Sequence, residues 1–304
     1  MEPLEITILG TSCSSPTAER NLSSTIVKYR GENLLFDCAE GTQRQIMKSN
    51  LSYMAINHIF LSHFHADHIL GLPGLLATMN MYERDLELNI YGSKGIKQIV
   101  EKISPMPLEN LCFKVNCIEL KNGIVLKGDN FIVKAFELKH RGKCFGFFFK
   151  ENDKKGEFQR EKAISLGIPI GPMFSQLQKG KNIELNGKKI TPEMVMDYDK
   201  GRKGRTVAII VDTMLDLKNA KLIQDADLLI HEAVFTEDLR KRAFETKHST
   251  AKDAAMLAKK ANAKRLLFTH ISSRYSDASV LEKEAKEIFE NVQAARDLMK
   301  INLG

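Results

Sequence analysis

Between an apolar strand-like run, Ile56 to Leu61, and an apolar helical run, Leu70 to Met79, the chain carries His63-Phe64-His65-Ala66-Asp67-His68. A strand that gives way at once to a helix puts its joining loop at the rim of a layered α/β fold, where such loops present functional groups. Three imidazoles and a carboxylate in six residues constrain this loop further. Each neutral imidazole nitrogen is a good donor to a borderline-soft divalent cation. Residues two apart in extended chain project to one side, so His63 and His65 can grip one ion. After the bend toward the helix, Asp67 and His68 can face a second. The segment reads as half of a metal site.

The pattern around it is layered. Strand-like runs fall at Leu4 to Leu9, Thr25 to Tyr29, Leu34 to Phe36, Glu87 to Tyr91, Phe113 to Leu120, Phe131 to Leu138 and Cys144 to Lys150, with helical patterns at Thr42 to Ser49 and Lys94 to Ile103. After residue 205 the alternation restarts: strands at Thr206 to Val211, Leu228 to His231 and Arg265 to Thr269, helices at Leu217 to Ile223, Ala251 to Ala261 and Val280 to Leu298. Ser249 or Thr250 serves as the N-cap of the 251–261 helix, with Asp253 in capping-box register to Thr250. Early strands followed by strand–helix alternation predict two sheets with helices packed outside. The core is expected to form from residues 1–150 and 205–304 together.

Residues 151–204 break the pattern. They are rich in Lys and Arg, carry several glycines, and lack a sustained apolar period. Such composition permits disorder, but the apolar islands Ile164-Leu166-Ile168 and Met173-Phe174-Leu177 and the stiff "GIPIGP" favour an ordered arm. With Lys179, Lys181, Lys188 and Lys189 near its tip, this arm suits a polyanion. The net charge of +7 over the 304 residues agrees with such a partner, although charge alone decides little. No apolar run is long enough to span a bilayer, so no membrane association is expected. "MEPLEITILG" lacks the basic-then-apolar start of a signal peptide. Five cysteines at irregular spacings, with no CxxC pair, predict reduced thiols and a cytoplasmic location.

Three further candidate ligands each follow an apolar strand: His140 after "FIVKAFELK", Asp212 after "TVAIIV" and His270 after "RLLFT". Together they predict His63, His65 and His140 on one metal and Asp67, His68 and His270 on the other, with Asp212 as a bridge. Two cations in such a site would stabilise both attacking and leaving oxygens in a phosphodiester displacement. His58, inside its strand, is expected to be structural, and His231 is left off the ligand set. His248, in "ETKHSTAKDAA", sits in a loop ahead of a helix and is placed as a proton donor or phosphate contact.

These residues resemble the ligand set of the metallo-β-lactamase superfamily, and within it the chain closely resembles the ribonuclease Z family. The likeness runs through "LGTSCSSP" at 9–16, "FDCAEGTQRQIM" at 36–47, "LSHFHADHILGLPGLL" at 61–76, "VDT" at 211–213, "HEAVF" at 231–235, "HSTAKDAA" at 248–255 and "FTHISSRY" at 268–275; "GIPIGPMFSQLQKG" is similar to that family's tRNA-binding exosite. The resemblance implies an αββα sandwich with a protruding basic arm that clasps tRNA. It also implies two zinc ions per subunit (Mn²⁺ or another divalent metal as a substitute), with Asp67 as both ligand and activator of water and His248 as a catalytic histidine. The implied activity is removal of 3′ trailers from precursor tRNA by a cut after the discriminator base, leaving a 3′-hydroxyl on the tRNA and a 5′-phosphate on the trailer. The implied assembly is a homodimer, and no DNA partner is expected.

Two positions depart from the family. Ala39 stands where Gly is usual, and Ala18 replaces the lysine of a P-x-K-x-R-N loop linked to rejecting CCA-ended tRNA, while Arg20 and Asn21 remain. The alternative activity on the same site is a metallo-phosphodiesterase of broader or small-molecule specificity.

Overall fold

The computed structural model describes residues 2–304. Strands Leu4–Gly10, Ser24–Tyr29 and Glu32–Phe36 form an antiparallel meander, and Glu32–Phe36, Ile56–Phe60, Leu88–Gly92 and Val115–Glu119 continue it in parallel. Met299–Leu303 pairs antiparallel with Leu4–Gly10 and completes this seven-stranded sheet. A second seven-stranded sheet runs in the order Val292–Ala294, Leu266–Thr269, Leu228–Glu232, Thr206–Ile210, Gly142–Glu151, Phe131–His140, Gly123–Lys127. Its first four strands are parallel.

The two sheets pack face to face because alternate residues of both are large and apolar. Phe36 and Tyr91 stack on either side of Phe60 at 5.0 and 4.5 Å between ring centroids, and Phe147 of the facing sheet meets Phe36 and Phe60 at 5.3 and 5.6 Å. The other faces are covered by helices, which is why strands such as Thr206–Ile210 are buried on both sides. Leu72, Leu75 and Leu76 of helix Leu72–Met81 and Val100 of helix Ile96–Ile103 share one outer core with Leu35, Ile59 and Ile90. On the opposite side Ala251, Ala254, Ala255 and Ala258 of helix Ala251–Lys260 share a core with Ala208, Ile210, Leu229 and Phe268. Thr250 caps this helix in a reciprocal capping box with Asp253, as its sequence predicts. The architecture is the expected αββα sandwich.

Three elements differ from expectation. The run 280–298 is not one helix: helix Ser279–Lys286 is followed by strands Val292–Ala294 and Met299–Leu303. Strand partners from elsewhere in the chain, Leu266–Phe268 and Leu4–Ile8, decide this, and no local periodicity reports them. The run 217–223 forms only the 3₁₀ segment Leu217–Lys221. Strand Gly123–Lys127 lies in a stretch without a clear apolar period, and the sequence pattern does not foretell it.

Contacts divide the chain into a unit of residues 1–149 with 205–304 and a second unit of residues 150–204. The second is ordered around its own small core of Ala163, Ile168, Phe174, Leu177, Ile183, Ile190 and Val195. Its hairpin Ile183–Leu185/Lys188–Ile190 turns at Asn186-Gly187, both with positive φ (52° and 74°), the geometry Asn-Gly favours in a two-residue turn. Lys179, Lys181, Lys188 and Lys189 are all exposed. No helix among the described residues is long and apolar enough to cross a membrane.

Phe147→Ala empties a site between the sheets and is expected to cost about 3–5 kcal/mol, read as a fall in the urea midpoint at unchanged slope.

Candidate metal centre

Four of the predicted ligands lie at the end of a strand or just beyond it, while Asp67 and His68 sit in the short helix Ala66–Ile69, with His65 at its N-cap. His63 follows Ile56–Phe60, His140 ends Phe131–His140, Asp212 follows Thr206–Ile210 and His270 follows Leu266–Thr269. Parallel strands deliver their C-terminal ends to one edge, where crevices in such sheets collect ligands. The short helix Ala66–Ile69, capped by His65 and carrying Asp67 and His68, is held to this edge by close backbone approach. Gly71 N–H donates to the Cys38 carbonyl (2.9 Å), and a Cβ at Gly71 would lie 1.9 Å from the Ala39 carbonyl oxygen. Ala39 itself is buried and free of positive φ, so its methyl group is accepted where the family usually has Gly.

The ligand atoms form two groups that flank Asp212, and Asp212, His248 and His270 make a third, overlapping set. His63, His65, His140 and Asp212 bring one atom each within 4.8 Å of the others, and so do Asp67, His68 and His270. Asp212 Oδ2 lies 3.7 Å from His63 Nε2 and 3.6 Å from His140 Nε2, while its Oδ1 lies 3.2 Å from Nε2 of both His68 and His270. Asp67 Oδ2 is 3.7 and 3.5 Å from the same two nitrogens. All seven residues are brought together at this edge.

The residues fit divalent cations. His63 Nε2 and His140 Nε2 are buried without hydrogen-bond partners among the described residues, an arrangement that ordinarily demands an explanation. His68 Nε2 and His270 Nε2 lie 3.3 Å apart, so that one can donate to the other only in a suitable tautomer. Proton affinities report a demand for positive charge. Burial disfavours charge on His68, but the Asp212 and Asp37 carboxylates prevail and raise it to about 10. Burial likewise opposes charge on His270, and Asp212 holds it well above the usual range. Burial would raise Asp212 and Asp67, yet His270 and His68 keep both below ordinary carboxylates. His63 is pushed down to about 2 by burial and by His68 beside it, leaving a neutral donor.

The outer nitrogens are fixed by groups that the ligand pattern of the sequence does not single out. Asp37 receives the Ser62 N–H and hydroxyl (2.7 and 3.0 Å) and pairs with His68 Nδ1 at 2.8 Å. The Lys247 carbonyl accepts from His140 Nδ1 at 2.9 Å. Ser14 N–H donates to Asp67 Oδ2 at 2.9 Å. Asp37 and His270 adopt left-handed φ of 56° and 49°, strain on the order of 1–2 kcal/mol each that the surrounding bonds must hold. Asp37 stands just past an apolar strand, the same signal that marks Asp212, and could have been found by it.

His248 lies beside the clusters. Its Nδ1 is 3.1 Å from Glu232 Oε2 and 3.9 Å from Asp212 Oδ2. Burial lowers its basicity, but Glu232 and then Asp212 outweigh this and leave it above the ordinary histidine range. Glu232, fully buried, also accepts N–H bonds from Thr213 and Ser249. His231 turns away, its Nδ1 on the Glu232 carbonyl at 2.7 Å, and belongs to neither ligand group. His58 Nδ1 meets the Tyr91 hydroxyl at 3.1 Å inside the sheet. Arg20 and Asn21 are spent on the protein itself: Arg20 donates to the Tyr275 carbonyl (2.9 Å), and Asn21 N–H and side chain bond Asp297 and the Glu40 carbonyl (2.6 and 2.9 Å).

Two sheets between helices, with clustered His and Asp at one edge, define the metallo-β-lactamase fold. The metallo-β-lactamase fold protein YhfI of Bacillus subtilis superposes with a TM-score of 0.73 over all of both chains at 19% identity. A family model described as Anti-Pycsar protein Apyc1 matches residues 4–154. More specifically, the chain is 44% identical to a ribonuclease Z of Methanosarcina acetivorans, covering 99% of this chain and 98% of that one. It is 42% identical to a ribonuclease Z of Archaeoglobus fulgidus over 98% and 97% of the two chains. The short form of human tRNase Z matches at 30% identity with a TM-score of 0.69 over 98% of both. The chain belongs to the ribonuclease Z family, and is a metal-dependent hydrolase of the endoribonuclease class.

Asp37→Ala frees His68 Nδ1 and is expected to weaken metal binding about 10–100-fold, measured by competition with a chromophoric chelator.

Proposed function

We propose that this chain is a zinc-dependent endoribonuclease that removes 3′ trailers from precursor tRNA, cutting after the discriminator base to leave a 3′-hydroxyl on the tRNA and a 5′-phosphate on the trailer. The observation that carries the reading is the shared carboxylate Asp212 between two donor groups, with the Glu232–His248 pair alongside. Full-length relatives named ribonuclease Z and the human tRNase Z structure support the substrate.

His63, His65, His140 and Asp212 would hold one ion, and Asp67, His68, His270 and Asp212 the other, with zinc favoured by the imidazole-rich donors. Two such ions, when bound, supply Lewis acidity toward the phosphate and lower the pKa of water. Asp67, oriented by the Ser14 N–H, is placed to accept a proton as water attacks phosphorus. Glu232 fixes the His248 ring through Nδ1 and stabilises its protonated form, so that Nε2 can pass a proton to the departing 3′ oxygen as the P–O3′ bond breaks. The unit of residues 150–204 would bind the body of the tRNA, with Lys179, Lys181, Lys188 and Lys189 on phosphates, in a cytoplasmic homodimer.

Precursor tRNA should be cut once, at the discriminator, by protein loaded with Zn²⁺; EDTA should abolish the cut and Zn²⁺ or Mn²⁺ restore it. A metal-loaded protein that hydrolyses bis(p-nitrophenyl) phosphate yet leaves the precursor intact would move the function to a small-molecule phosphodiesterase. His248→Ala is expected to lower kcat about 10²–10⁴-fold at unchanged metal content. Replacing the four lysines with alanine should raise KM for precursor tRNA. It should also flatten the log–log salt dependence by up to about 0.7–0.9 for each phosphate no longer neutralised, with bis(p-nitrophenyl) phosphate hydrolysis retained.

A further inference from the structure

Helix Arg240–Thr246 ends on the candidate centre. His248 N–H donates to the Ala243 carbonyl at 2.8 Å, and the Lys247 carbonyl, past the helix end, holds His140. Its outward face carries an unusual combination. Phe244 is 67% exposed, and Lys241, Arg242 and Lys247 are exposed around it. Burial in the core therefore does not account for Phe244. The Arg141 guanidinium adds another cation by donating to the Glu245 carbonyl at 3.3 Å.

Beside this face lies a cavity of about 390 Å³, lined by Met214, Leu215, Ala243, Phe244, Arg240 and Lys241 among others, with His248 in the same wall. Met214 and Leu215 follow Asp212 by two and three residues, so the apolar side of the cavity is tied to the bridging carboxylate. Arg240 is held rigid by Glu237 and by Asp253 at 2.9 Å. An apolar hollow with one exposed aromatic ring, a cationic rim and a proton donor in its wall matches a nucleobase joined to a phosphate chain. Aromatic side chains accept any base by its face, and lysine or arginine takes the backbone.

We propose that this cavity is a nucleotide subsite in which Phe244 stacks on the base immediately 5′ of the scissile phosphate. The assignment rests on the reading of the chain as a precursor-tRNA nuclease, and its polarity follows from His248. A histidine that protonates the leaving 3′ oxygen must sit beside the ribose that keeps that oxygen, so the neighbouring hollow receives the base of the same nucleotide. Lys241 then faces the phosphates leading to it. Stacking without hydrogen-bond readout explains how one pocket serves tRNAs that end in different discriminator bases.

The test uses Zn²⁺-loaded full-length protein and two precursor tRNAs, one intact and one abasic at the discriminator position. On the intact precursor Phe244→Ala should lower kcat/KM about tenfold or more, and Phe244→Tyr should restore it. On the abasic precursor wild type and Phe244→Ala should cleave alike, because the ring has nothing to stack on. An equal loss on both precursors, or no loss on either, overturns the subsite. An equal loss accompanied by a change in sedimentation would instead make Phe244 part of a contact between copies of the chain. Wild-type protein that leaves the intact precursor uncut overturns the substrate reading itself, and the subsite with it.

Discussion

The centre depends on one buried carboxylate shared between two sets of imidazoles. Asp212 sends one oxygen toward His63 and His140 and the other toward His68 and His270. A lone buried charge of this kind would be strongly destabilising, and partners of opposite sign must accompany it. At His68 and His270 burial opposes positive charge, but the neighbouring carboxylates outweigh it and raise both proton affinities. A cation held there would compete with protons for the same imidazole nitrogens.

The sandwich exists to bring that carboxylate and its partners to one edge. Asp212, His140 and His270 come from strand ends of the second sheet, whereas His63 and His65 come from the loop after a strand of the first and Asp67 and His68 from the short helix that follows it. The aromatic layer of Phe36, Phe60, Tyr91 and Phe147 packs together the two sheets from which both ligand groups draw their members. The outer bonds to Asp37, Lys247 and Ser14 set the angles of the rings and carboxylates within those groups.

Much of this is legible in the chain because strand-end placement is a local signal. An apolar run followed at once by His or Asp marks His63, His140, Asp212 and His270 without knowledge of the fold. The same signal marks Asp37, but a residue that orients a ligand has no chemistry to distinguish it from a turn former. Glu232 stands out in the sequence only as the neighbour of His231, since its partner His248 arrives 16 residues later through tertiary packing. The carboxy-terminal strands escape the sequence pattern for a related reason. Val292–Ala294 and Met299–Leu303 are strands only because Leu266–Phe268 and Leu4–Ile8 lie beside them. In residues 150–204 the apolar islands foretell order, and the Asn186-Gly187 pair is a hairpin signal in its own right that the basic composition around it obscures.

The neck of the 150–204 unit carries a consequence for how such enzymes diversify. Arg202 grips Glu151 with two bonds of 2.8 and 2.6 Å, backbone bonds join Lys154 and Arg202 in both directions, and Gly204 packs so close to the Glu151 carbonyl that a Cβ there would lie 1.7 Å away. The unit leaves and rejoins the chain through adjacent, clamped ends and brings its own core. A segment closed in this way behaves as a cassette: lineages can lengthen, exchange or discard it while the hydrolytic half stays under separate selection.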